Sequence, residues 1–271
     1  ASAPTITLHS TDGDRVTPGQ VISTVQAPTL LVLAAERTML NMVSHASAIA
    51  TQTRRWVDAI AAAAEETGKP GSIKKAQVRD TRKTLPGLRA LQKYAVRAGG
   101  GHARVVDTRK TTPGLRVLER QAVRDGGGHN HRFSLSDAVM LKDNHLAALG
   151  FGGAGDPGEA LTAALRAGMA RLPHTTHVEV EVDRLEQIPA VLAAGVDTIM
   201  LDNFSPAELR AGVELVAGRA VVEASGGVSL ETIGAIAATG VDVISVGALT
   251  HTVQSLDLGL DAVVEEGSPR R

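Results

Sequence analysis

The sequence contains no cysteine and few aromatic residues. Aromatic side chains make up 2% of its 271 residues, with one Trp, one Tyr and three Phe. The absence of cysteine excludes a disulfide framework, a thiolate nucleophile and a cysteine-ligated metal. Because few rings are available for stacking, a planar ligand would have to be held mainly by charge and hydrogen bonds.

The chain also lacks a large net charge and a long apolar run. Lys and Arg number 28 and Asp and Glu number 29, which gives a net charge of -1 at pH 7. This balance argues against attraction to nucleic acid or to an anionic membrane through overall charge. No apolar run reaches the roughly 18 residues of a membrane span, and the first residues do not resemble a signal peptide. We therefore expect a cytoplasmic protein with no nucleic-acid or membrane partner.

Positive charge is concentrated in residues 72–142, which hold sixteen Lys and Arg and only five Asp and Glu. The same region contains an internal repeat, because the 22 residues 80–101 match residues 107–128 at 16 positions. Solenoid folds need at least three copies, so two copies indicate a local duplication inside a larger fold. We expect residues 80–106 to form a duplicated βα unit.

From about residue 103 the sequence alternates short β-branched runs with Ala- and Leu-rich helical stretches. This alternation is typical of βαβ units and a parallel sheet. Residues 28–66 predict one or two long helices, and Thr5–Leu8 with Val21–Val25 predict a small antiparallel element. The six predicted strands are Ala103–Asp107, Ala138–Leu141, His177–Val182, Thr198–Leu201, Ala220–Glu223 and Val241–Val246.

Polar residues and glycines follow several of these predicted strands. In a β/α barrel the carboxyl ends of the strands meet on one face, where the chemistry of that architecture takes place. The turns Ser225–Gly226–Gly227 and Gly247–His251 follow two consecutive late strands, and the first precedes a predicted helix over 230–238. Because glycine lets the backbone approach an anion and a helix N-terminus supplies free N–H groups, these turns favour a phosphate site. A purely connecting or packing role for the glycines is the alternative.

Five cationic groups fall at or beside the same strand ends: Arg109, Lys110, His131, Arg132 and Lys142. They would repel one another unless an anionic ligand neutralised them. Arg binds carboxylate or phosphate through a two-point fork, whereas Lys acts as a mobile point charge. A solvated basic surface is the alternative.

Two acidic residues, Glu181 and Asp202, end successive predicted strands. Such a carboxylate pair could act as general acid and base, or could hold a hydrated Mg²⁺ that bridges substrate phosphates. The basic residues nearby suggest a polyanionic substrate, which favours the Mg²⁺ interpretation. Ion pairing with Lys110 or Lys142 is the alternative.

Eight segments of the chain, taken in order, resemble the quinolinate phosphoribosyltransferase family of type II phosphoribosyltransferases. They are Glu36–Asn41, Asp107–Gly114, Gly126–Arg132, Lys142–His145, Glu179–Val182, Leu201–Phe204, Ser225–Gly227 and Gly247–His251. The resemblance implies an α/β fold consisting of an open, incomplete β/α barrel with a truncated N-terminal α/β sandwich domain. On this basis we expect the partial sandwich domain over 1–30 and the barrel over 31–250. A C-terminal segment over 251–271 would return to the sandwich domain.

The resemblance also implies the reaction and the roles of the residues. Quinolinate and phosphoribosyl pyrophosphate, with Mg²⁺, would give nicotinate mononucleotide, pyrophosphate and CO₂. The catalytic residues would be Lys110, Lys142, Glu181 and Asp202, with Glu181 and Asp202 facing the metal through water and substrate. The substrate-binding residues would be Arg37, Arg109, His131, Arg132, Ser225, Gly226, Gly227, Gly247 and His251. A homodimer is implied, in which Arg37 reaches the site of the partner subunit.

This chain departs from the family pattern in two ways. It begins partway through the sandwich domain, and it carries two Asp-Thr-Arg-Lys-Thr units where the family has one. Only the second copy runs directly into Asn130–His131–Arg132, so we assign Arg109 and Lys110 to the site and Arg82 and Lys83 to an inserted unit. Two other functions stay open: a phosphoribosyltransferase for another pyridine carboxylate, and a non-catalytic phosphate-ligand-binding barrel disabled by the duplication and truncation.

Overall fold

The structure is a computed structural model that describes residues 3–66, 103–153 and 157–261. Its N-terminal part is a two-stranded antiparallel sheet, in which β1 (Thr5–Leu8) pairs with β2 (Ser23–Gln26). The predicted small antiparallel element is therefore confirmed. The first copy of the repeat, with Arg82 and Lys83, lies outside the described residues.

A single long helix, α1, spans Thr29–Glu66. No glycine or proline interrupts these 38 residues, and alanine, the best helix former, is frequent among them. Ile49, Trp56 and Ile60 are buried against the main core, while Leu30 and Leu33 near its start are 83% and 59% exposed. Its second half thus belongs to the core, and its first turns present an apolar surface.

The main sheet contains six strands, and every pairing within it is parallel. The strands are β3 (Arg104–Val106), β4 (Ala138–Leu141), β5 (His177–Val182), β6 (Thr198–Asp202), β7 (Val221–Ser225) and β8 (Val243–Ser245). Their order is β3-β8-β7-β6-β5-β4, so the first and last strands of this sheet in chain order, β3 and β8, lie side by side. Among the described residues β3 and β4 do not pair, and only a single bridge from Val106 to His129 extends the sheet there. The predicted open β/α barrel is confirmed.

Helices follow the strands along the chain, as the alternating pattern predicts. They are α2 (Arg116–Asp125), α3 (Asp143–Ala148), α4 (Gly158–Met169), a 3-10 turn (Leu185–Gln187), α5 (Ile188–Ala194), α6 (Pro206–Val216), α7 (Ile233–Ala237) and α8 (Ala248–His251). None of the helices in the described ranges has the length and hydropathy needed to cross a membrane.

The two faces of the sheet differ in chemistry. Residues paired in register on adjacent parallel strands lie on the same face, and successive residues of a strand alternate between faces. Val180, Ile199 and Val222 share the face that packs in the hydrophobic core. Glu181 and Glu223, both in register with Met200, share the other face. The second face therefore directs carboxylates into the barrel interior.

The predicted helix over 230–238 is longer than the observed one. Regular helix is limited to Ile233–Ala237, and residues 230–232 form a turn. The backbone N–H of Ser229 donates to the hydroxyl of Thr232 at 2.9 Å, and such side-chain bonds compete with helix formation. The end of β7 also differs, because pairing of Ser225 with Asp202 extends it past the predicted Glu223.

Past α8 the chain has neither helix nor strand up to residue 261. The backbone N–H of Leu256 donates to the carbonyl of Ser44 on α1 at 3.2 Å, and Val253 packs against the core. The C-terminal segment is thus attached to α1. The domain limits at residues 30 and 250 stay predictions, since α1 runs without a break across residue 30.

Candidate active site

Asp107, directly after β3, ties two of the predicted site segments together. Its carboxylate is fully buried, and Oδ1 accepts the backbone N–H of His131 at 2.7 Å. Oδ2 accepts from the Asn130 side chain, also at 2.7 Å, and Arg120 lies 3.6 Å from Oδ1. Burial raises the pKa of Asp107, although these donors oppose the rise. Asp107 thereby fixes the start of the Arg109 loop against the His131–Arg132 segment.

Arg109 and Lys110 follow in the same loop, beside the turn that ends β8. The Nε atom of Arg109 is buried and has no hydrogen-bond partner within the described residues. The carbonyl of Lys110 accepts from the hydroxyl of Thr250 at 2.7 Å. A Cβ atom at Gly247 would lie 3.6 Å from Cδ of Lys110 and 2.8 Å from Nε2 of His251. Lys110, Gly247 and His251 are therefore neighbours, as the sequence predicts.

His131 lies against two buried carboxylates of the barrel interior. Its Nε2 is 3.3 Å from Oε2 of Glu179 and 3.6 Å from Oε1 of Glu223, and its Nδ1 accepts the backbone N–H of Arg132 at 2.8 Å. A ring that accepts at Nδ1 carries its proton on Nε2, which here faces both carboxylates. Burial and the nearby Glu223 raise the pKa of Glu179. The Glu179 carboxyl therefore holds its proton to a higher pH than a free glutamate does.

Lys142, at the end of β4, is paired with Glu181, at the end of β5, through Nζ and Oε2. The Glu181 side chain is 5% exposed and that of Lys142 is 48% exposed. The ion pair that sequence reasoning named as an alternative role for Glu181 is thus present. Two of the five predicted cationic groups, Lys142 and His131, face carboxylates of the chain. These two therefore do not need an anionic ligand to offset their charge.

Hydrogen bonds of Asn203 connect Asp202 to the Ser225–Gly226 turn. Asn203 has the left-handed φ of 61°, its side-chain N–H donates to Asp202 Oδ2 at 2.7 Å, and its backbone N–H donates to the Ser225 carbonyl at 2.9 Å. A Cβ atom at Gly226 would lie 2.2 Å from Oδ1 of Asn203, so only glycine fits there. At Gly227 no residue of the described ranges lies within 4 Å of such an atom, so its backbone is open to an incoming group there.

Neither glycine-rich turn is followed by a long helix. The helix after the first turn begins at Ile233, six residues beyond Gly227, and α8 after Gly247 has only four residues. The helix predicted to begin at residue 230 therefore begins three residues later than expected. The helix dipole has little reach over such lengths, so backbone N–H groups of the turns are the available donors.

The two remaining predicted arginines differ in their contacts: Arg132 hydrogen-bonds to the start of β4, whereas Arg37 lies exposed on α1. The guanidinium of Arg132 donates to the carbonyl of Ala138 at 2.7 Å, next to the start of β4. Arg37 is exposed on α1 and makes no hydrogen bond or ion pair to any residue in the described ranges. The chain by itself therefore does not bring Arg37 into contact with the other predicted site residues.

Comparison with known proteins matches this arrangement to one family along most of the chain. The model of the quinolinate phosphoribosyl transferase N-terminal domain matches residues 3–47, and that of the C-terminal domain matches residues 49–106 and 102–261. The chain belongs to the quinolinate phosphoribosyltransferase family. Both repeat copies fall within C-terminal-domain matches, which agrees with a duplication inside this family's barrel.

Several relatives of this family are similar over most of their length. The carboxylating nicotinate-nucleotide pyrophosphorylase of Mycobacterium leprae is 44% identical over 253 residues, or 92% of this chain and 72% of that protein. The probable enzyme of the same name from Bacillus subtilis is 36% identical, covering 96% and 74%. The crystal structure of NadC from Streptococcus pyogenes has a TM-score of 0.72 at 36% identity, covering 94% and 73%.

Sequence reasoning about this quinolinate phosphoribosyltransferase chain missed several supporting residues. Asp107, Glu179, Asn203, Glu223 and Thr250 were not assigned roles, yet each contacts a predicted site residue. One signal was available, because Glu179 precedes Glu181 by two residues and so shares its face of the strand. An acidic residue at an inward-facing position of a buried strand is a candidate partner for a site cation. The contacts of Asn203 and Thr250 depend on loop geometry and left no such signal.

The residues of this family member fit a hydrated Mg²⁺ rather than a fully protein-ligated one. Carboxylate oxygens are suitable ligands, and Glu181 and Asp202 provide them at adjacent strand ends. In the described part of the chain no third Asp, Glu or His gathers with these two to form a three-residue ligand group. Mg²⁺ also keeps several waters in most protein sites. Water and substrate oxygens would have to complete its coordination.

Proposed function

We propose that this chain transfers the phosphoribosyl group of phosphoribosyl pyrophosphate to quinolinate and releases CO₂, giving nicotinate mononucleotide and pyrophosphate. The observation that carries this proposal is the position of Lys110, beside the Gly247 turn and in the loop of Arg109. One loop thereby joins donors for a carboxylate to a turn suited to a phosphate. Both substrates are polyanions, which suits a site of this composition.

Quinolinate carries two carboxylates, for which Arg109 and Arg132 offer fork-shaped donors. The Nε of Arg109 supports this role, because it is buried, has no partner among the described residues, and such a group is costly unless a ligand accepts from it. The exposed ammonium of Lys110 would stabilise negative charge that develops on the pyrophosphate leaving group.

Mg²⁺ would be held through water and substrate oxygens near Glu181 and Asp202, where it neutralises the pyrophosphate. The same carboxylates would orient the ribose hydroxyls and stabilise the positive charge that develops on the ribose. Backbone N–H groups of the Ser225–Gly227 and Gly247 turns would bind the 5'-phosphate. In the transfer step the bond from the ribose carbon to pyrophosphate breaks while its bond to the quinolinate nitrogen forms.

Decarboxylation follows from the charge created by that transfer. The ring nitrogen is cationic once ribosylated, so it stabilises the electron pair left on the adjacent ring carbon when the carbon–carboxylate bond breaks, and that carbon then takes a proton from water. No strong acid or base is required for this step. The role of the chain is then mainly positioning and electrostatics.

The site would be completed in a homodimer, with Arg37 contributed by the partner subunit. Its exposed position on α1, next to the exposed apolar residues Leu30 and Leu33, supports a location at a subunit contact. Mixing the inactive variants Arg37→Ala and Arg109→Ala tests this arrangement. If Arg37 serves the partner, subunit exchange restores activity at about a quarter of the sites. Activity that stays at zero after verified exchange would contradict the shared site.

The proposed activity is tested by incubation with phosphoribosyl pyrophosphate and Mg²⁺, with and without carboxyl-labelled quinolinate. Labelled CO₂ released only when all three are present supports the proposal. Product formed only from a monocarboxylate such as nicotinate would favour the other phosphoribosyltransferase, and binding without turnover would favour the non-catalytic barrel. The cytoplasmic location inferred from the sequence stays a prediction.

A further inference from the structure

Two buried glutamates below the site take no part in the proposed chemistry. Glu179 on β5 and Glu223 on β7 are each 3% exposed, and both lie within 3.6 Å of the His131 ring. Ionised carboxylates are rarely kept in a protein interior without a partner, because burial is costly. The acid pair, Glu179 and Glu223, therefore needs an explanation beyond packing.

Both ring nitrogens of His131 are occupied by groups of the chain. Nδ1 accepts the amide of Arg132 at 2.8 Å, so a proton cannot reside there while this bond is kept. The ring proton must then be on Nε2, which faces the acid pair. The hydroxyl of Ser245 donates to Oε1 of Glu223 and fixes that carboxylate from the other side.

We propose that Glu179 and Glu223 are positioning residues that hold the Nε2–H of His131, so that the imidazole forms the floor of the quinolinate pocket without donating to the substrate. The Nδ1 contact then orients the Arg132 amide, and the adjacent guanidinium is held at a fixed place for a quinolinate carboxylate. This inference rests on the proposed function. It changes the role expected for His131, which the sequence grouped with the direct substrate donors.

A metal ion in this cluster would require a different arrangement of protons. The ligand atoms of His131, Glu179 and Glu223 lie within 4.8 Å of one another, close enough for a cation. A histidine nitrogen binds a metal only without its proton, however, and the Arg132 amide leaves Nε2 as the protonated atom. The hydrogen bonds thus favour a closed cluster of His131 and the acid pair.

The kinetic test compares Glu223→Ala, which removes the acceptor, with Glu223→Gln, which keeps its size and one acceptor oxygen. Loss of a partner that orients a site residue typically costs 10- to 100-fold, so we expect KM for quinolinate to rise by about 10-fold or more in Glu223→Ala. Glu223→Gln should recover most of that loss, and KM for phosphoribosyl pyrophosphate should change less than about twofold in both. Asp242→Asn, which removes a carboxylate that lies directly before β8 and accepts the Val222 amide, is the matched charge control.

A second measurement addresses His131 without relying on turnover. Long-range ¹H–¹⁵N spectra of the histidine side chains, with His131→Gln for assignment, report which ring nitrogen carries a proton. We expect Nδ1 of His131 unprotonated at neutral pH, and protonated or exchanging in Glu223→Ala. A wild-type chain that releases no CO₂ but gives this spectrum would contradict the proposed function and leave the positioning role standing.

Three results would overturn the inference. The first is a protonated Nδ1 in the wild type, which would free the ring to donate to quinolinate. The second is an equal rise of both KM values in Glu223→Ala, which indicates a general structural role. The third is stoichiometric Zn²⁺ binding that Glu223→Ala abolishes, which would make the cluster a metal site.

Discussion

Asp107 accepts the backbone N–H of His131 at 2.7 Å across 24 residues of sequence. This bond joins the second Asp-Thr-Arg-Lys unit to the segment that carries His131 and Arg132. At the equivalent spacing the first unit, which starts at Asp80, meets Ala103 and Arg104, and Arg104 is already the first residue of β3. Asp80 therefore has no corresponding Asn-His pair to accept from. The relationship supports assigning the second copy to the site.

The substitution Asp107→Asn tests this assignment. The amide retains one acceptor oxygen but places a donor against a donor, so one buried group loses its hydrogen bond. We expect the free energy of unfolding to fall by about 1–3 kcal/mol in urea denaturation. Asp80→Asn is the matched control and should change it by less than about 0.5 kcal/mol. Equal losses in the two variants would contradict the choice of copy.

Gly226 and Gly227 should respond differently to alanine, although the sequence treats them alike. Both have a positive φ, which costs alanine about 1–2 kcal/mol. At Gly226 the added Cβ would also collide with Asn203, whose side chain donates to Asp202. We expect Gly226→Ala to raise KM for phosphoribosyl pyrophosphate at least about 10-fold, because it disturbs both the turn and the carboxylate. Steady-state kinetics of the two variants make the comparison, and a larger effect at Gly227 would show that its exposed backbone is the more important.

The hydroxyl of Thr250 connects the Gly247 turn to the Arg109–Lys110 loop. It is 1% exposed and donates to the Lys110 carbonyl at 2.7 Å. Thr250→Val leaves that carbonyl without its donor at a cost of about 1–3 kcal/mol. We expect reduced stability together with a lower kcat, both measured beside Thr250→Ser, which keeps the hydroxyl and should behave almost as wild type. A Ser variant as impaired as the Val variant would assign the effect to the lost methyl group.

The sequence predicts the barrel well because its signals are local. Each strand is a short β-branched run, and the residues at its carboxyl end meet by topology, as for Glu181 and Asp202. The contacts that organise the site depend on tertiary geometry instead. The pairing of Glu223 with His131 joins residues that are 92 positions apart in the sequence. The left-handed backbone conformation of Asn203 cannot be read from its residue type. Helix length after Gly227 was overestimated, because Ser229 and Thr232 form a side-chain-bonded turn.

The buried carboxyl of Glu179 makes stability depend on pH in a defined direction. Burial and the nearby Glu223 raise the pKa of Glu179 above its ordinary value of 4.5, so above that value the folded chain still holds a proton that the unfolded chain has lost. Stability therefore falls as pH rises through the folded pKa, and the contribution is fully present only below about 4.5. Urea denaturation at several pH values above 4.5 should show a smaller fall in Glu179→Gln, whose side chain cannot ionise, than in wild type. Glu223→Gln should also reduce the fall, since it removes the neighbouring charge that raises this pKa. Parallel curves for wild type and both variants would mean that Glu179 does not retain the proton.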